Sequence, residues 1–99
     1  MSNTVMFITF NLAEGASVPD FLIAAEKLNN EYMSKQKGFI SWKQLVEGEL
    51  WADLLTWETI DDAKKILESS SPNPLAEKFY SFIDMPSCKV HLFSVEKSY

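Results

Sequence analysis

From Met6 to Leu12 every even position is apolar, and Val5 and Phe7 fill odd positions between them. This density of branched and aromatic side chains predicts a strand over Thr4–Leu12 that is apolar on both faces. Glu14-Gly15 closes it. At Ser17 the period changes. Val18, Phe21, Leu22, Ala25, Leu28 and Tyr32 fall on one helical stripe. Ser17, Pro19 and Asp20 give the start signal: a hydroxyl cap, a proline in the first turn and an acid three residues after the cap. Lys35 and Lys37 suit the negative end of the helix dipole, and Gly38 is the expected stop.

Two more strands follow, Phe39–Val46 and Leu50–Glu58, with a turn at Glu47-Gly48-Glu49. Thr59-Ile60-Asp61-Asp62 repeats the capping pattern and opens a helix expected to bury Ala63, Ile66 and Leu67. The run from Ser69 to Pro72 breaks it. Asn73-Pro74 starts a short helix with Leu75, Phe79, Phe82 and Ile83 on one side. Met85-Pro86 reads as a turn, and Cys88–Lys97 as the fourth strand. The order is βαββαβ. It predicts one α+β domain over residues 1–99, a ferredoxin-like sandwich with a four-stranded antiparallel sheet and helices on one face.

A hairpin loop with an even residue count pairs even positions of the second strand with odd positions of the third. One face then holds Ile40, Trp42, Gln44 and Val46 with Trp51, Asp53, Leu55 and Trp57. The other holds Phe39, Ser41, Lys43 and Leu45 with Leu50, Ala52, Leu54 and Thr56. The first face has the composition of a ligand pocket, with large flat walls and two polar groups, Gln44 and Asp53. A carboxylate flanked by Trp51, Leu55 and Trp57 would be desolvated, which raises its pKa and makes Asp53 a candidate proton acceptor. The competing reading places Asp53 near a sheet edge, solvated or paired with a lysine. The tryptophans are pocket wall or core packing. Asn11 either caps the turn or orients a substrate carbonyl, and Tyr32 and Tyr80 either reach the pocket mouth or pack.

Helices cover only one face of such a sheet, yet the strands are apolar on both. The uncovered face is on the order of 400 Å², the upper edge of what monomers expose. Pairing two of these faces gains about 20 kcal/mol of gross burial against roughly 4–15 kcal/mol for association, so a homodimer packed sheet to sheet is expected.

Composition narrows the partners. The formal net charge is −5, and all nine cationic residues are lysines. Without arginine the chain lacks the usual bidentate group for phosphate, which argues against nucleic acid as a partner. Cys88 is the only cysteine, so no internal disulfide can form, and a reducing compartment is expected. No basic leader and no membrane-length apolar run is present, so the expected location is cytoplasmic, away from a membrane. His91 is the only histidine and reads as structural. One His and one Cys do not assemble a recognisable metal site.

Gly38-Phe39, Trp57-Glu58-Thr59 and Asp61-Asp62-Ala63, in this βαββαβ order, resemble the dimeric α/β-barrel superfamily and its antibiotic-biosynthesis-monooxygenase-like group. The resemblance covers nearly the whole chain. It implies a cofactor-independent monooxygenase that oxidises a small planar aromatic with O₂, using neither metal nor flavin, in a dimeric α/β barrel. It places Trp57 beside the substrate and Asp53 at a position the group often fills with an amide. Asp53 would take a phenolic proton, while Trp57 and Trp42 would stack on the ring. Asn11, Gln44, Tyr32 and Tyr80 would complete the binding surface. The superfamily's haem degraders need a helix histidine as iron ligand, and these helices have none. The alternative is a ligand-binding or stress-responsive dimer with the same pocket and no turnover, or an interaction module whose tryptophans are core.

Overall fold

The capping side chains set where the helices begin. Ser17 Oγ accepts the Asp20 amide N–H at 3.4 Å. Thr59 Oγ1 accepts that of Asp62 at 3.1 Å. Asn73 Oδ1 accepts those of Leu75 and Ala76 at 2.9 and 3.3 Å. Each cap satisfies a donor that the helix itself leaves open. The helices that follow are α1 (Val18–Glu31), α2 (Ile60–Glu68) and α3 (Pro74–Tyr80). The strands are β1 (Thr4–Leu12), β2 (Phe39–Glu47), β3 (Leu50–Trp57) and β4 (Ile83–Ser94). The structure is a computed structural model and describes residues 3–68 and 73–99. The break expected from Ser69 to Pro72 lies outside the described residues.

All strand pairs are antiparallel, in the order β2-β3-β1-β4. This is the ferredoxin-like α+β sandwich. β1 and β3 are central, and their register sets Ile8 against Asp53 and Phe10 against Trp51. The hairpin pairs Glu47 with Leu50, leaving Gly48-Glu49 as a two-residue loop. Trp42, Gln44 and Val46 therefore share a face with Trp51, Asp53, Leu55 and Trp57, as strand parity requires.

Parity fails at the start of β2. A bulge between Phe39 and Ser41 sets Phe39, not Ile40, opposite Trp57. Phe39 thus moves to the helix face, edge-on to Trp57 at 5.5 Å, and Ile40 is left 47% exposed. The fourth strand also departs from expectation. It begins at Ile83 and ends at Ser94, and Met85-Pro86 is not a turn. Asn11 pairs with Asp84 while Thr9 pairs with Lys89, so residues 85–88 are bulged out of register. Ser87 Oγ holds the bulge: it accepts the Asn11 amide N–H at 2.9 Å and donates to the Asp84 carbonyl at 2.6 Å.

The end of α1 is corrected too. The helix stops at Glu31, and a single 3-10 turn, Met33–Lys35, follows with no basic residue in the helix's own last turn. Gly38, at φ +80°, sits in the turn that leads into β2 rather than ending the helix. Of the expected stripe, Phe21, Ala25 and Leu28 are buried, while Val18 and Leu22 are exposed. Leu67 is also exposed, where burial was expected. The core lies between the sheet and the helices, and Phe21 is its hub. Its ring stacks on Phe79 at 5.2 Å and meets Trp51 at 5.4 Å and Phe10 at 6.0 Å edge-on. No helix among the described residues is long and apolar enough to cross a membrane.

Candidate functional site

Asp53 lies in the middle of β3, a central strand, and is 3% exposed. The reading of a solvated acid near a sheet edge is therefore corrected. Desolvation pushes its pKa from 3.8 up to about 7. The Trp42 indole and the Gln44 amide pull it part of the way back. They stand beside it on the same face, yet neither closes a well-formed hydrogen bond. Asp53 Oδ1, Trp42 Nε1 and Gln44 Nε2 are all buried without a partner. Near neutral pH this acid is poised between its two protonation states.

The acid faces a cavity of about 180 Å³ between sheet and helices. Trp42 and Phe79 give it flat walls, and Ile8, Leu55 and Ile66 line it with aliphatic surface. Met6, Met33, Met85 and Cys88 add polarisable sulfur, which packs well against aromatic rings. Tyr80 also lines it. Burial, then the neighbouring Cys88, Asp53 and Tyr32, push the Tyr80 phenol pKa upward. Burial and Asp53 do the same to the Cys88 thiol. Both groups therefore stay protonated at neutral pH, as donors beside a poised acid. No lysine or histidine lines the cavity.

The structure thus brings Asp53, Trp42 and Tyr80 to one cavity, with Gln44 across the β2–β3 pair from Asp53. It does not bring the other sequence candidates there. Trp57 is fully buried, with its Nε1 unpartnered. It lines a separate pocket of about 180 Å³ with Tyr32, Gln36, Lys37, Asp62, Lys65 and Ile66. The two compartments share Ile66 as a wall. Asn11 is exposed at the far end of the sheet, beside a shallow cleft shared with Trp51 and Asp84. Sequence reasoning missed Cys88, Met33 and Met85 as wall residues. Strand parity carried a signal for Cys88, which alternates with Val90 and Leu92; nothing in the spacing pointed to the two methionines. Among the described residues no group of three His, Cys, Asp or Glu side chains is placed to hold a metal ion.

By sequence the chain matches no family model and no curated protein. By structure it is similar, over its whole length, to antibiotic-biosynthesis-monooxygenase-like proteins. SnoaB, a cofactor-independent oxygenase from Streptomyces nogalater, superposes with a TM-score of 0.77 at 14% identity, covering 99% of this chain and 97% of that one. A Bordetella bronchiseptica protein with the provisional name antibiotic biosynthesis monooxygenase gives 0.79 at 12% identity, covering 100% of both chains. A Nitrosomonas europaea protein of unknown function gives 0.69 at 16% identity, covering 100% of this chain and 94% of that one. At these identities the shared property is the fold.

Proposed function

We propose that the chain is a cofactor-independent monooxygenase that oxidises a small planar aromatic carrying a hydroxyl group. The observation that carries this reading is Asp53, a buried acid with a pKa of about 7 and an unpartnered oxygen, on the wall of an otherwise apolar cavity. A general base works best when its pKa lies near the working pH. Asp53 takes the phenolic proton, and the resulting electron-rich ring is the species that O₂ can oxidise. With hydroquinone the balance is hydroquinone plus O₂ giving hydroxybenzoquinone plus water. One oxygen atom enters the ring, the other leaves as water, and the electrons lost by the ring are those gained by O₂. Trp42 and Phe79, packed edge-on to each other at 5.4 Å, form one aromatic side of the ring's site, and Tyr80 stands at the cavity as a neutral donor. The likeness in fold to SnoaB, a cofactor-independent oxygenase, supports the reaction class.

Oxygen uptake with hydroquinone or anthrone tests the reading. Asp53→Asn should lower the rate by about 10²–10⁴-fold, the usual contribution of a positioned base. Full activity in that variant, with loss in Trp57→Phe, would move the chemistry away from Asp53.

A second reading is favoured by one observation. Trp57 does not line the Asp53 cavity, and a non-catalytic binding protein would need no residue there. Quenching of tryptophan fluorescence by flat ligands, without oxygen uptake, would select it. In either reading we propose a homodimer in which the outer sheet face, with Phe7, Leu54 and Phe93, is the contact.

A further inference from the structure

The Trp42 and Asp53 side chains both line the same cavity; the indole is near enough to lower the acid's pKa, yet Trp42 Nε1 and Asp53 Oδ1 are both buried without a well-formed hydrogen bond. An unpaired buried donor and an unpaired buried acceptor each carry a desolvation penalty. Gln44 Nε2, beside Asp53 on the neighbouring strand, is a third unpaired atom. A guest that satisfies the cavity pair must both donate and accept at one point. A hydroxyl does this: it has one O–H and two lone pairs. An amine cation would satisfy Asp53 and leave the indole N–H without an acceptor. A carboxylate would satisfy the indole and, wherever Asp53 is ionised, set a second negative charge beside it in a cavity that no lysine or histidine among the described residues lines.

Size supplies the second restriction. A cavity of about 180 Å³ compares with the ~150 Å³ cavity that is known to admit benzene. The volume matches one six-membered ring, and a fused polycycle would have to extend through the cavity mouth.

We propose that this cavity is a site for a single-ring phenol or hydroquinone, whose oxygen donates to Asp53 Oδ1 and accepts from Trp42 Nε1. The proposal rests on the oxygenase reading and narrows its substrate class. It also gives Trp42 a polar role beside that of a wall. When the proton moves, the phenol O–H bond breaks and an O–H bond forms on Asp53, so the negative charge passes from carboxylate to phenolate. The phenolate then accepts from two donors, the Trp42 N–H and the newly protonated Asp53. A charge that develops on oxygen is thus met by donors already in place.

Calorimetric titration of the full chain with phenol, anisole, benzoate and anthrone tests the proposal. Phenol should bind at least roughly tenfold tighter than anisole, which keeps the ring and loses the donor. At about pH 8, where Asp53 is ionised, benzoate should not bind. In Trp42→Phe the phenol-to-anisole ratio should fall several-fold. If Trp42 were a wall alone, both ligands would weaken together and the ratio would stand. Phenol binding no tighter than anisole overturns the proposal. So does anthrone binding where phenol fails, although oxygen uptake with anthrone would then still uphold the oxygenase. Phenol selectivity as expected, with no oxygen uptake on hydroquinone, has the opposite result: the hydroxyl site stands and the oxygenase falls. The wild-type series decides the matter even if the variant does not fold.

Discussion

Asp53 gives the fold a pH dependence opposite to that of a carboxylate in an ion pair. Its pKa is about 7 in the folded chain against an ordinary 3.8, so between those values the folded chain holds a proton that the unfolded chain has lost. Its contribution is most favourable below about pH 4, is lost as pH rises, and is gone above about pH 7. The gap corresponds to ~4 kcal/mol at most. Asp53→Asn should therefore stabilise the chain by a few kcal/mol near pH 8 and leave it about unchanged near pH 4. Denaturant midpoints at the two values check this. Gly38 is the second residue whose identity is dictated locally. Its φ of +80° suits glycine, and an added Cβ would sit 2.8 Å from the Cβ of the buried Asp62. Gly38→Ala should cost about 1–3 kcal/mol, read from the same denaturation curves.

At the scale of elements, α1 is held to the sheet through Phe21. That ring has no exposed surface and touches aromatic side chains from β1, β3 and α3. Phe21→Ala should destabilise by about 3–5 kcal/mol, since the rings around it cannot close the void together. The elements themselves were legible in the chain because their signals are local. A cap such as Ser17 or Thr59 acts within three residues, and alternation in β1 or β3 needs no knowledge of the neighbours. The two bulges were not legible. Phe39 changes face because packing on Trp57 outweighs regular pleating, and residues 85–88 bulge because Ser87 bonds to Asn11, 76 positions away. The candidate site was half legible for the same reason. Parity within one hairpin put Trp42 and Gln44 beside Asp53, whereas the walls from Met33 and Met85 depend on how distant segments close around the sheet.

For the whole molecule, the second sheet face is the unfinished surface. Leu45, Leu50 and Phe93 are 42%, 46% and 53% exposed, and register places them on the same side as Val5, Phe7 and Leu54. Sedimentation at micromolar concentration should find a dimer. Phe93→Asp should weaken it by at least ~tenfold while leaving the monomer folded. A monomeric parent would remove the homodimer. The sheet's two outer strands, β2 and β4, are the ones that carry the bulges. A strand from another molecule seeking a backbone template would find regular spacing only along Ser41–Glu47 on one margin and Lys89–Ser94 on the other. Open, flat margins on strands this apolar are what seed fibrous aggregates. The interruptions blunt that growth at both margins, so the β4 bulge, which carries Met85 and Cys88 to the candidate site, also biases association toward faces and away from endless stacking.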